Sequence, residues 1–381
     1  VYYQDEKGSR RQLKGRYVVG CDGANSKVRK DLNIPVSGVG LLNYTTNVLF
    51  YCEDLFAYHS HRPGYRWIFI GPHVAYGTMS AINGKDLWRA QIFNDERKAL
   101  TEEEARERLV QMVGRPFTFE IRSVLNWSRR EFVAESYRDN RVFLAGDAAH
   151  ATSPTGGFGM NTGIKDAVDL AWKLDAVLRG WAGHRLLDTY EEERRPIAKR
   201  AVREATGNWL RMNATGHNPK LLEHSYEGAL TRYHVGRKFS ATMLREWYKL
   251  GIDLGYVYRN SSICWPETKE GASDNKSSNH HQGELPATAP PKAYLTDGKP
   301  LLPTTLREWQ RLIQHEAEGY EVPMEWEELP AAEVMIYRQT SEPGARAPHV
   351  WLQNGSSTLD WYGRGFVLLV LGEATEGSDP L

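Results

Sequence analysis

The chain has 381 residues, 41% apolar and 25% charged, and its 48 Lys and Arg are balanced by 48 Asp and Glu. That composition suits a globular protein. It lacks the basic footprint of a nucleic-acid binder, and no apolar run is long enough to cross a bilayer. The three cysteines, Cys21, Cys52 and Cys264, match neither a disulfide framework nor a metal-ligand spacing, so no metal is expected and a reducing cytoplasm is the default.

The first residue is Val1, inside a strand-like run and not an initiator Met, so the expectation is a chain that begins mid-protein. Residues 1–3 and 11–13 flank a turn and predict a hairpin. Tyr17, Val18 and Val19 predict a short strand that runs into Cys21-Asp22-Gly23, after which Val28, Leu32 and Ile34 recur at roughly helical spacing. Taken alone, this junction also reads as an ordinary Asp-Gly turn.

From about residue 38 the texture becomes that of an inserted, mostly antiparallel sheet. Residues 47–51, 66–70, 74–82, 89–93 and 121–127 predict strands, with Asn83-Gly84 as a hairpin turn. One helix interrupts them, opened by the Thr101/Glu104 capping box and closed by Gly114.

Residues 141–174 carry the strongest pattern. Val142, Phe143, Leu144 and Ala145 form a continuous apolar run that ends in Gly146 and Asp147. Pro154, Gly156, Gly157 and Gly159 then predict a turn with bare backbone, and a helix is expected from near Asn161. Strand, acidic residue, glycine turn and helix N-terminus together form an arrangement that binds the polar parts of a large cofactor. Ile164, Ala167, Val168, Ala171, Leu174, Val177 and Leu178 fall on one helical face, the expected core side, and Gly180 stops the helix.

A second helix is expected from near Leu187, with a kink or break at Pro196, and helical spacing returns over 219–248. Residues 261–335 read as a polar linker or insertion. It holds a short helix at 304–314 and a His280-His281 pair read as solvated surface. Strands are expected at 350–352 and 365–371, and the chain's far end also reads as incomplete.

GDAAHATSPTGGFGMNTGIKDAVDLAWKL resembles the second flavin motif of the aromatic-ring hydroxylases, the single-component FAD monooxygenases related to p-hydroxybenzoate hydroxylase and phenol hydroxylase. YVVGCDGANSKVRKDL resembles that family's Asp-Gly motif and YEEERRP a helix that follows. GARAPHVWL resembles the entry to the thioredoxin-like domain of longer members.

The resemblance implies an α/β fold: part of a glutathione-reductase-type FAD-binding domain (1–37 and 131–260), interrupted by a sheet-rich substrate domain (38–130). The start of a thioredoxin-like domain would follow at 336–381. It implies FAD, NAD(P)H as co-substrate, O2, and a small phenolic or polyketide-like aromatic substrate hydroxylated through a C4a-hydroperoxyflavin. A homodimer is left open. Asp147 would bind the ribityl chain, Gly146 beside it would belong to the same cofactor-binding junction, and Pro154, Gly156, Gly157 and Gly159 would meet the flavin ring. Backbone N–H groups near Met160 and Asn161 would stabilise charge on reduced flavin.

Asp22, Gly23 and Arg29 would lie near the pyrophosphate, although Arg29 also reads as a surface helix residue. His150 reads either as lining the flavin or as packed structure. No catalytic base is assigned; Tyr58, His59, His61, Tyr65 and Tyr76 are the candidates on the inserted sheet. The family's GxGxxG turn has no counterpart in residues 1–40 and is expected upstream. The same fold also serves flavin-dependent dehydrogenases and halogenases, and a non-catalytic fragment is the alternative outside enzymes.

Overall fold

The computed structural model describes residues 2–58, 64–72, 75–94, 100–214, 218–265, 331–363 and 365–367. Within them β1 (Tyr2–Gln4) and β2 (Arg10–Gln12) form the expected hairpin. The next strand, β3 (Val18–Gly20), runs into α1 (Lys27–Asp31).

The chain then leaves for a sheet of strands β4 (Val36–Tyr51), β5 (Arg66–Ile70), β6 (Ala75–Ala81), β7 (Leu87–Asn94) and β8 (Glu120–Ala134). Strands β4 and β8 are much longer than the runs 47–51 and 121–127 suggest. Their outer halves carry glycines and polar residues, and the pairing absorbs bulges between Ser37 and Gly40 and between Leu41 and Asn43. The helix α2 (Glu102–Val113) has the predicted capping box, and Gly114 closes it at φ 81°. Its Ala105, Leu109 and Met112 pack on Val48, Phe50 and Trp88 of the sheet.

After β8 come β9 (Arg138–Asp139), β10 (Val142–Leu144) and β11 (His150–Ala151). Among the described residues the large sheet has the order β11-β8-β4-β7-β6-β5, and a smaller one has the order β3-β10-β9. Strand β10 pairs with β3 in parallel, Val142 opposite Val18 and Leu144 opposite Gly20. A parallel pair needs a long crossover, and here the whole inserted sheet supplies it.

The helix α3 (Phe158–Arg179) starts a turn earlier than expected and ends at Gly180, φ 83°. Its buried face is not the predicted one. Ile164 is 54% exposed and Val168 65%, whereas Asp166, Asp169 and Lys173 are buried. Only Leu174 and Val177 of the predicted stripe pack on the core. Apolar periodicity misleads here because the buried charges are paired. Asp166 meets Arg194, and Lys173 meets both Asp169 and Glu193.

The partner helix α4 (Thr189–Ala214) runs through Pro196 as one helix, so the expected broken pair of helices is not formed. Proline removes one backbone bond, and the neighbouring turn is fixed from outside. Lys173 Nζ reaches Glu193 at 2.6 Å, Arg194 Nε reaches Asp166 at 2.9 Å, and Arg195 Nε donates to the Ala134 carbonyl at 3.0 Å.

The expected helical stretch 219–248 resolves into α5 (Tyr226–Thr242) and α6 (Leu244–Trp247). They are followed by α7 (Leu250–Asp253) and, later, α8 (Ala331–Met335). Residues 350–352 form a single bridge, Trp351 to Ser357, and not a strand. The polar run 266–330 with its His pair and 304–314 helix, His59 and His61, and residues 368–371 of the last expected strand lie outside the described residues.

Candidate cofactor site

Because β3 and β10 are parallel and adjacent, the two acid-glycine junctions leave the same edge of one sheet. Ala145 N donates to the Gly20 carbonyl at 3.0 Å, holding the strand ends level. Ligands of open parallel sheets bind outside the carboxyl ends of the strands, and both junctions stand there.

The Asp22 carboxylate caps α1. It accepts from Ser26 Oγ at 2.5 Å, Lys27 N at 2.7 Å and Val28 N at 3.0 Å. Burial pushes this acid up, but the Ser26 hydroxyl and the Val28 and Lys27 amides outweigh it and hold the group below its ordinary value. Gly23, at φ 80°, turns the chain. Arg29 is not a surface residue: only 6% exposed, it donates to the Ala148 carbonyl at 2.6 Å and the Ala24 carbonyl at 2.9 Å. One guanidinium therefore ties the first junction to the second.

In the second junction Asp147 sits in a short 3-10 turn, Gly146–Ala148, with its side chain exposed. It borders a cavity of about 580 Å3, together with Ala24, Asn25, Ser128, Arg130 and Thr152. That volume lies in the range of cofactor and substrate pockets.

Bare backbone surrounds the carboxylate. A Cβ at Gly163 would lie 3.3 Å from the Gly146 Cα, and one at Gly159 would lie 3.0 Å from Thr152 Oγ1 and 4.0 Å from Asp147 Oδ1. Gly146, Gly156 and Gly157 all take left-handed angles, φ 59°, 96° and 64°. Gly157 is the N-cap of α3 and offers no side-chain cap, so the first-turn N–H groups beside Met160 and Asn161 are left for an external acceptor. Met160 is 75% exposed, and Asn161 Nδ2 donates to the Gly157 carbonyl at 2.8 Å. An outward carboxylate, a cradle without Cβ atoms and an uncapped helix N-terminus fit a group with hydroxyls, a flat ring and negative charge.

A family model described as FAD binding domain matches residues 1–205. The chain belongs to this FAD-binding family. It is 34% identical over 316 residues to the FAD-dependent monooxygenase apdD of Emericella nidulans, covering 76% of this chain and 50% of that protein. The structure of the rebeccamycin biosynthetic enzyme RebC with reduced flavin matches at TM-score 0.71 and 32% identity, covering 99% of this chain and 61% of that one. A ternary complex of aklavinone-11 hydroxylase with FAD and aklavinone matches at TM-score 0.62 and 26% identity, covering 96% and 54%. The chain thus spans about half the length of the relatives it matches.

The FAD-binding domain rests on a buried polar hub that sequence reasoning missed. Asp166 Oδ2 accepts from Gly146 N at 3.1 Å and lies 2.7 Å from His150 Nε2, while Oδ1 takes Arg194 Nε at 2.9 Å. Burial pushes Asp166 up, but His150 and Arg194 outweigh it and hold its carboxyl below the ordinary range. His150 is fully buried and stacked near Tyr137, so it is packed structure.

Arg194 lies inside the YEEERRP motif, yet nothing in that motif pointed to Asp166. Under the glycine loop, buried Arg129 donates to Ser153 Oγ at 3.0 Å, and Ser153 bonds Thr155. Of the candidate bases, Tyr65 packs edge-on to Trp247 and Tyr76 tilts against Phe69.

Proposed function

We propose that this chain is part of an FAD- and NAD(P)H-dependent monooxygenase that hydroxylates a phenolic or polyketide-like aromatic compound with O2. The observation that carries the reading is the pair of acid-glycine junctions at one sheet edge, with the Asp147 carboxylate facing out beside a Cβ-free cradle. Bound FAD would supply the redox chemistry and the activation of O2.

The chain's own residues hold and orient it. Asp147, beside Gly146, accepts hydrogen bonds from ribityl hydroxyls. Pro154, Gly156, Gly157 and Gly159 present backbone to the ring. The N–H groups at Met160 and Asn161 favour negative charge on the reduced ring. Asp22 and Gly23 serve the pyrophosphate side indirectly, through the shape of the turn, and Arg29 fixes the spacing of the two junctions. The inserted sheet walls off the reacting ring from water.

Met160, Ile164 and Val168 form an exposed apolar stripe on α3, a surface suited to packing against another element. The relatives that support the activity are named monooxygenases and hydroxylases.

The deciding experiment supplies 18O2, NADPH and a phenolic substrate to the full-length protein and weighs the product. One labelled oxygen per NADPH consumed is expected. NADPH oxidation that leaves the aromatic compound unlabelled contradicts the reading.

A further inference from the structure

Strands β4 and β8 carry a row of buried polar atoms that have no protein partner. Asn43, Thr45 and Asn47 alternate along β4 and so share one side of the sheet. Their partners on β8 are Arg129, Trp127 and Leu125, which face the same way. Asn43 Nδ2, Thr45 Oγ1, Asn47 Oδ1 and Trp127 Nε1 are all buried without a hydrogen bond. Leaving such a group unmet costs its full desolvation penalty, so four in one row mark a place built for something polar.

The two ends of the row differ. At the Asn47 end, Leu125 is 62% exposed, which opens the row to solvent. At the Asn43 end, Arg129 is 2% exposed and bound to Ser153, the residue before Pro154 of the proposed flavin loop. Arg129 forms no ion pair within 4 Å among the described residues; it hydrogen-bonds Asn43 and Ser153, and the Arg66–Glu246 pair acts on it from further off, the arginine opposing its charge and the glutamate favouring it. A guanidinium has five donor hydrogens, so most of its capacity is uncommitted. Burial pushes it down to about 9, which still leaves it charged at neutral pH. Its neighbours are flat: Trp209 at 4.1 Å, Trp127 at 5.4 Å and Phe93 at 5.5 Å from the guanidinium carbon.

We propose that this row reads the oxygens of a fused-ring phenol lying along β4, with an ionisable hydroxyl at the Arg129 end. At roughly 3.3 Å per residue, Asn43 to Asn47 spans about 13 Å, the length of about three fused rings and twice that of a single phenol. The aromatic walls take the ring faces. The charge of Arg129, which no carboxylate contacts directly, favours the phenolate next to the loop where hydroxylation would occur, and the phenolate is the more reactive form. Asn47, Thr45 and Trp127 are specificity residues in this scheme. The inference rests on the monooxygenase reading and extends it to substrate size.

The test uses the full-length, flavin-loaded protein and two probes, 2,6-dihydroxyanthraquinone and phenol, titrated by their perturbation of the flavin band. The wild type is expected to bind the three-ring probe at least tenfold more tightly. Asn47→Leu and Thr45→Val are each expected to weaken it roughly tenfold while changing phenol binding less than about twofold. Thr45→Val is further expected to keep or raise the melting temperature, because it removes an unmet buried hydroxyl; a purely structural threonine would lower it. The bound probe is expected to ionise at lower pH in the wild type than in Arg129→Lys. Unchanged three-ring binding in both variants, or a preference for phenol, overturns the proposal. A preparation without a flavin band contradicts the FAD assignment itself and is recognised before either probe is added.

Discussion

Asp166 holds the cofactor turn from below: one carboxylate meets the Gly146 amide, His150 and Arg194, and all three side chains are fully buried. Asp166→Ala strands the Arg194 charge inside the protein, and the expected loss is about 3–5 kcal/mol in urea denaturation. A loss below about 1 kcal/mol would show that the hub is not what supports the turn.

A second buried cluster sets a pH dependence. Lys173 is shared by Asp169 and Glu193, so the group carries one excess negative charge when all three ionise. Burial pushes Asp169 up to about 7, reinforced by the neighbouring Glu193. The folded state then holds a proton that the unfolded chain releases near 4, so this contribution is full at low pH and fades as pH rises through about 4 to 7. Asp169→Asn leaves Lys173 paired with Glu193 alone. It is expected to raise stability by about 1–2 kcal/mol at pH 8 and hardly at all at pH 4; equal effects at both pH values would contradict this.

Asp147 was legible in the sequence because it ends an apolar strand and precedes a glycine turn. Asp166 was not, because a helical aspartate sixteen positions after its histidine looks like any solvated acid.

At the scale of elements, the loop before α3 is the most constrained. Gly156 has φ 96°, and a Cβ there would lie 2.5 Å from the Phe158 ring. Gly156→Ala is expected to cost about 1–3 kcal/mol and to weaken flavin retention, read by thermal unfolding and by the flavin-to-protein ratio after desalting. Wild-type values for both would remove the loop from the account.

The helix itself shows where pattern reading stops. Its existence and its Gly180 stop were visible, and so were the capping box and Gly114 of α2. Which face of α3 points inward was not, because the decision lies with Arg194 and Glu193 on another helix. Periodicity sees apolar residues and not the partners of charged ones. Long strands were cut short for a related reason: the glycines and polar residues at 36–46 serve bulges and the buried row, which do not look like strand.

The exposed Ile164 and Val168 give a surface test. The isolated 381-residue chain is expected to bind a dye of exposed apolar surface, and Ile164→Lys with Val168→Lys to reduce that signal without lowering the melting temperature. A large drop in melting temperature would instead place these side chains in the core.

Across the whole molecule, one topological fact organises the rest. The large sheet is the crossover between two parallel strands, so building it also brings Asp22 and Asp147 to one edge. Motif order hinted at this, but the register that sets Leu144 opposite Gly20 emerges only from the packed strands. Arg29, spanning from the first junction to the Ala148 carbonyl, locks that register in place. On the side of the sheet that meets the glycine loop, the same crossover lays the unmet polar row toward Arg129, joining substrate choice to the cofactor edge in one fold. The central claim is that this edge holds FAD through Asp147. The most direct measurement is the FAD dissociation constant of the full-length protein against Asp147→Ala, taken by fluorescence titration of the apoprotein. Loss of two charge-assisted hydrogen bonds predicts affinity about 100-fold weaker with an unchanged melting temperature of the apoprotein. Equal FAD affinity in the two proteins would contradict the account.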